Sequence, residues 1–258
     1  MANSKNIFII SILLILLPHI TVFSQNWQGL FHPGSTGNIQ VTNEVFDEKN
    51  DRYYLTGSFT DSLFFEEIDD TLISNGPRAV FVAAFDKYYN SLWSVKIGGN
   101  GLELQSKIDI DDNGYIYVSG AFTSSNCTFD GDIVLASDGI GDIFLTKLNS
   151  NGEFLWANNI ARGESMQQNP SIMLDNTNDI ISSVNYTDSI TISYDNKDTL
   201  LYSGPSSSDA TVIIKLDSSG VIYDNAIYNI QTKGDNGTAN NFGIQEYNGN
   251  YYFSGRFQ

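Results

Sequence analysis

The string Asp109-Ile110-Asp111-Asp112-Asn113-Gly114 carries oxygen donors at its first, third and fifth places and glycine at its sixth. A calcium loop opens in this way, because glycine permits the sharp bend that turns the donors inward. Asp109, Asp111 and Asn113 would be the ligands. The pattern then lapses. Tyr117 fills the ninth place and Gly120 the twelfth, where a carboxylate should complete the coordination. The matching stretches Asp47 to Asp51 and Asp175 to Asp179 do not repeat the string. A polar hairpin turn accounts for these residues better than a metal site.

Other chemistry is sparse. His19 falls in the leader described below, and His32 stands in a Phe31-His32-Pro33-Gly34 turn with no paired motif. Serine–histidine catalysis and histidine-ligated metals therefore have little to build on. Cys127 is the single cysteine, so no internal disulfide forms. It begins a strand-like Asn126-Cys127-Thr128-Phe129 with no basic cluster nearby, and reads as a small buried apolar group. The 30 acidic residues could supply a glycosidase pair, yet no spacing singles one out. The sequence assigns no catalytic residue and no cofactor.

The elements that must position any such residues are written as a repeat. Tyr54-Leu55-Thr56-Gly57-Ser58-Phe59 returns as Tyr117-Val118-Ser119-Gly120-Ala121-Phe122. It returns more loosely at Ile181 to Tyr186, and again as Tyr252-Phe253-Ser254-Gly255-Arg256-Phe257. The closing aromatics step by 63, 64 and 71 residues. Within the second copy, Ser106 to Asp111 alternates polar and apolar residues, the period of a half-buried strand. Asp112-Asn113-Gly114 turns the chain, and Tyr115 to Phe122 is a second strand rich in β-branched and aromatic residues. A third strand is expected from Asp142 to Leu148, and a fourth from Glu153 to Ile160 after the turn at Asn149 to Gly152. Between the second and third strands lies an arm, Thr123 to Gly141, ending in Leu135-Ala136-Ser137-Asp138-Gly139. Leu72 to Gly76 and Leu200 to Gly204 match it. The spacing predicts an all-β chain of four-stranded antiparallel units that cannot bury their faces alone.

The fourth strand also repeats, with Trp93 and Trp156 63 apart, Tyr223 following after 67, and Trp27 lying 66 before Trp93. A chain that begins on a fourth strand can close a ring by borrowing strands from its other end, which removes open sheet edges. The expected organisation is a strand of the closing unit at 25–36, units at 37–99, 100–163 and 164–232, and the start of another at 233–258. A ring of six to eight such units needs roughly 400 to 500 residues, so the expectation is the N-terminal part of a longer β-propeller. A shorter solenoid of stacked sheets is the competing architecture.

Residues 1–24 read as a secretory signal. Lys5 precedes an apolar run from Ile7 to Leu17, Pro18 breaks it, and Val22-Phe23-Ser24 offers a cleavage site. The run is short for a bilayer span, and no cysteine offers a lipid anchor. The net charge of −17 repels phosphate backbones, which argues against nucleic acid and anionic membranes as partners. Asn-x-Ser/Thr triplets begin at Asn126, Asn185 and Asn236, of consequence only in a eukaryotic secretory pathway.

Gly57-Ser58-Phe59, the Leu-x-x-x-Gly arm, and Ile143 to Leu148 followed by Gly152 and Trp156 together resemble a known pattern. It is the seven-bladed β-propeller (SBBP-type) repeat of secreted bacterial proteins, and the resemblance covers most of Gln40 to Phe257. The third copy departs from it, with Val184 where glycine is expected and Tyr223 for tryptophan. The resemblance implies an extracellular or cell-surface propeller, a family whose members often carry a C-terminal sorting domain. Gly152-Glu153-Phe154-Leu155-Trp156 also looks like the Gly-x-x-x-Trp docking element of quinone-dependent propellers, where the tryptophan packs between sheets. The adjacent cysteines of such a cofactor site are missing, so the element is expected to be structural. Two functions follow as expectations: a non-catalytic scaffold binding protein or glycan, or a glycan hydrolase or lyase using carboxylates that converge from several units.

Overall fold

The computed structural model describes residues 33–137, 141–163, 168–194, 197–203, 209–231 and 239–257. The leader at 1–24, Trp27, His32, Asn236 and the Asp138-Gly139 and Gly204 ends of two arms lie outside the described residues. The chain is all-β. Among the described residues a single 3-10 turn, Glu66–Ile68, interrupts the strands, and no helix is long and apolar enough to cross a membrane.

A short strand β1 (Gly34–Ser35) precedes the first copy of the repeat. That copy runs β2 (Ile39–Asp47), β3 (Arg52–Phe59), β4 (Ser62–Phe65), β5 (Asp70–Ile73), β6 (Ala79–Asp86) and β7 (Ser91–Gly98). The second copy is β8 (Glu103–Ile110), β9 (Ile116–Phe122), β10 (Cys127–Phe129), β11 (Ile133–Leu135), β12 (Asp142–Leu148) and β13 (Phe154–Gly163). The third is β14 (Gln168–Leu174), β15 (Ile180–Thr187), β16 (Ser189–Tyr194), β17 (Lys197–Tyr202), β18 (Asp209–Leu216) and β19 (Ile222–Gln231). A last hairpin, β20 (Ala239–Tyr247) and β21 (Asn250–Phe257), opens another.

Each full copy contributes a four-stranded antiparallel meander, and each arm is a hairpin. The arm does not pair with its own sheet. β10 and β11 extend the sheet of the previous copy, with Thr128 opposite Gly98 and Phe129 opposite Ile97. β16 and β17 extend the second sheet, with Ile190 opposite Gly163. The first arm makes the same bond to β1, with Phe64 opposite Gly34. The two resulting sheets have six strands, in the orders β11-β10-β7-β6-β3-β2 and β17-β16-β13-β12-β9-β8. Sequence copy and hydrogen-bonded sheet therefore overlap by one hairpin.

Burial explains the strand compositions. β6 (Ala79–Asp86) and β9 (Ile116–Phe122) are buried at almost every residue, because both faces of these middle strands are covered by neighbouring sheets. Outer strands such as β2 alternate, as expected of a strand with one face in water. Odd and even residues of one strand serve different layers. Tyr54, Val80 and Val82 pack against Ile116, Val118 and Phe144 of the next sheet, whereas Leu55, Phe59 and Phe81 pack under the first arm with Leu63 and Phe65. Tyr117 and Leu145 meet Ile180, Val184 and Val212 in a third layer.

The departure at Val184 has a local cause. Gly57 lies opposite Phe81, and a Cβ on it would stand 2.7 Å from that ring. Gly120 lies opposite Phe144, and its Cβ would stand 2.5 Å from the ring. At the same height Val184 faces Val212. A glycine–phenylalanine pair is exchanged for a valine–valine pair, and the layer stays filled.

Candidate functional site

The aspartates singled out by the calcium-like string spend their oxygens on the backbone. Asp111 Oδ1 accepts from the Asn113 and Tyr115 amides, both at 2.9 Å, and Oδ2 accepts from the Tyr117 hydroxyl at 3.2 Å. Gly114 takes φ +80° in this turn, and its amide donates to Asp111 O. Asp109 Oδ1 accepts from the Ile110 amide and Oδ2 from the Leu174 amide of the next sheet, at 2.9 and 2.7 Å. Burial raises the Asp109 carboxyl, and those two amides pull it back. Asp109, Asp111 and Asn113 are thus neighbours in a strand end and its turn, with both carboxylates engaged. Asp47 and Asp175 cap their own turns in the same way, through the Lys49 and Asn50 amides and the Thr177 and Asp179 amides. Among the described residues no three His, Cys, Asp or Glu side chains are grouped to hold a metal ion.

At this end of the strands, side chains brace each sheet to the next. The Trp93 indole donates to Ser150 O at 3.0 Å and covers Gly152, whose φ is +87°. A Cβ on Gly152 would stand 2.8 Å from that indole, and one on Gly220 2.8 Å from Trp156. The Gly-x-x-x-Trp element is therefore a clamp between successive sheets. Tyr223 does not continue the row. It falls in the irregular stretch between the Ile214–Ile227 and Leu216–Ile222 pairs, is 41% exposed, and donates its hydroxyl to Asp179 at 2.7 Å. Cations repeat the theme: Arg52 donates to Ser150 O at 3.1 Å and Lys147 to Ser218 O at 3.2 Å.

Lys215 forms the densest polar cluster of this end. Its ammonium stands 2.9 Å from Asp175, 3.0 Å from Asp179 and 3.1 Å from the Tyr251 hydroxyl, which itself donates to Asp175 at 2.6 Å. Burial disfavours the Asp175 carboxylate, but bonds from Thr177, Tyr251 and Lys215 outweigh it and hold the group well below the usual range. Every member is satisfied, and the cluster joins the third sheet to the last hairpin.

The opposite ends of the first strands differ in kind. Each of β2, β8, β14 and β20 slips register at one height: between Val41 and Asn43, Leu104 and Lys107, Gln168 and Ser171, and Asn241 and Gly243. Such bulges end regular pairing and re-aim side chains. Between β2 and β8 they open a cleft of about 480 Å³, lined by Gln40, Val41 and Thr42 on one side and Leu104, Gln105, Ser106 and Lys107 on the other, with Arg78 beside them. Gln105 takes φ +57° within its bulge, a conformation costly for a residue with a side chain. Thr42 Oγ1 donates to Ser106 O at 2.8 Å, which ties the two walls together. Asn43 Oδ1 accepts from the Ile108 amide at 2.9 Å.

Two positive charges face this cleft in a chain of net charge −17. Arg78 is fixed by a parallel bridge to Leu102, and its guanidinium reaches Ser58 Oγ at 3.4 Å. Lys107 reaches Thr42 O at 3.5 Å. Neither forms an ion pair among the described residues, and no carboxylate lines the cleft. Sequence reasoning missed this site because its walls are 64 residues apart at the Thr42–Ser106 tie and its bulges are set by sheet packing. Pro170, inside the irregularity of β14, is one local signal of the bulge row.

Two buried groups complete the inventory. Glu103 is fully buried, accepts from the Gly99 amide at 3.1 Å and from Ser124 Oγ, and is raised by burial. Cys127 is buried in the arm strand β10, and burial together with the Glu103 charge pushes its thiol far up, away from reactivity. Of the glycosylation triplets, Asn185 is buried and accepts from Thr211 at 2.8 Å. In comparisons with known proteins, no family matches the chain and no curated protein matches it.

Proposed function

We propose that this chain is a non-catalytic, secreted or cell-surface β-propeller of the seven-bladed repeat type, serving as a binding scaffold for a glycan or protein. The observation that carries the binding reading is the cleft between β2 and β8. It is walled by amide, hydroxyl and cationic side chains, with no carboxylate to act as acid, base or nucleophile. A propeller is supported by antiparallel meanders that touch most closely along their first strands, which would then line a central channel. β1 supports it too, since it receives an arm just as β7 and β13 do, and so behaves as the fourth strand of a further blade. Export rests on the leader-like residues 1–24.

The competing assignment is a glycan hydrolase or lyase with converging carboxylates. Displaying the purified protein over an array of glycans and extracellular proteins tests the choice. The scaffold reading expects saturable retention of at least one ligand, which elutes chemically unchanged. Binding of none, or release of shortened products, contradicts it.

A further inference from the structure

We infer that the β2–β8 cleft binds the carboxylate of an acidic saccharide, with Arg78 and Lys107 as the groups that select the charge. This rests on the binding-scaffold reading and names its ligand class. The first support is electrostatic. Both cations are partly withdrawn from water, neither has an ionic partner among the described residues, and they stand together on a chain that otherwise carries excess negative charge. Cations held this way favour an anionic ligand, and a planar guanidinium matches a carboxylate in a two-point fork. The same excess charge elsewhere repels extended polyphosphates, so one or a few carboxylates suit the site better than a nucleic acid.

The second support is the kind of polar group presented. Gln40 and Thr42 line one wall with an amide and a hydroxyl, Gln105 lines the other, and Val41, 43% exposed, offers an apolar patch for a sugar face. The volume of about 480 Å³ lies within the range of small-ligand sites. A peptide would dock here by adding a strand to the open edges of β2 or β8. The bulges at Thr42 and at Gln105-Ser106 break both edges at this height, and the Ile108 amide is already bonded to Asn43. Side-chain recognition of a saccharide remains.

Isothermal titration of the full chain with trigalacturonate, its methyl ester and triglutamate tests this. Saturable binding of trigalacturonate is expected. The ester and the peptide should each bind at least about tenfold more weakly, and Arg78→Gln and Lys107→Gln should each weaken the uronate by about tenfold, with unfolding midpoints unchanged. The inference is overturned if trigalacturonate gives no saturable heat, if the ester or triglutamate binds as well, or if both variants bind as the parent does. Should Arg78→Gln fail to fold, Lys107→Gln decides, because among the described residues the one hydrogen bond of that ammonium is the 3.5 Å contact to Thr42 O. If trigalacturonate is ignored while another ligand is retained on the array, the uronate assignment falls and the scaffold stands. If trigalacturonate is shortened, the scaffold itself falls.

Discussion

Single residues show how the repeat keeps its layers filled. The Phe144 ring lies across Gly120 and also packs edge-on against Phe129 at 5.4 Å between centroids. Gly120→Val should therefore overpack the layer and cost about 3 kcal/mol, and Phe144→Val should leave a void of similar cost. Together they recreate the Val184–Val212 pair of the third sheet. The double variant should be at least about 1 kcal/mol more stable than the two single losses summed. Urea unfolding of all four proteins measures this coupling, and strict additivity would contradict the exchange. The glycine was legible in the sequence as part of the Gly57-Ser58-Phe59 signature, but its reason was not. The ring that demands it lies on the third strand, 24 residues away.

Titration belongs to this scale too. The Asp175 carboxyl is depressed in the folded chain, against its burial, by Thr177, Tyr251 and Lys215. A depressed carboxyl stabilises the fold above its unfolded value, and that contribution is lost as pH falls, here from about pH 5 toward pH 2. Glu103 and Asp109 are raised by burial, so their protonation favours the fold and partly offsets the loss. Asp175→Asn should cost about 2 kcal/mol at pH 7 and flatten the acid limb of stability, because Lys215 is left beside a neutral partner with only Asp179 to pair it. Chemical denaturation at several pH values checks it; parallel curves for the two proteins would refute the assignment.

At the scale of elements, the departure from expectation is the arm. Its position between second and third strands was readable from the recurring Leu-x-x-x-Gly, as were the four strands themselves from their alternation and turns. Its partner was not readable, since pairing β10 to β7 joins residues 30 apart and crosses from one sheet to the next. Outside β14, where Pro170 marks the break, the first-strand bulges were equally hidden, because nothing in Gln40-Val41-Thr42 marks a break in a strand. Cys127 makes arm docking measurable. As the only thiol of the chain, buried on β10 opposite Leu135 of β11, it reports the opening of that hairpin. Ellman's reagent should leave it unlabelled in native buffer, and Thr128→Pro, which breaks the bond of β10 to its neighbours, should expose it at least about tenfold faster. Native labelling at the rate of a free thiol would show that the arm is not held as described. Trp156→Ala, which removes the clamp on Gly220, should cost about 3 kcal/mol by thermal unfolding.

For the whole molecule, the repeat accounts for architecture, and the candidate cleft is built from residues the copies do not share. Trp93 and Trp156, Asp47, Asp111 and Asp175, and the Gly57 and Gly120 positions all brace sheets or cap turns. Arg78, Gln105 and Lys107 belong to no repeated signature, and they meet in the cleft between the first two sheets. That is why the sequence displayed its fold early and its candidate site not at all: a site assembled from unshared residues on successive sheets has no period to find. The catalytic alternative needs two carboxylates converging on such a surface, whereas the cleft presents none, and Asp111 and Asp175 cap turns at the other end of the strands. Mass spectrometry of neutral and acidic oligosaccharides incubated with the purified protein tests this most directly. Retention of an acidic oligosaccharide whose mass is unchanged after prolonged incubation is the predicted result. Products shortened by hydrolysis, or bearing the unsaturated end left by a lyase, would contradict it.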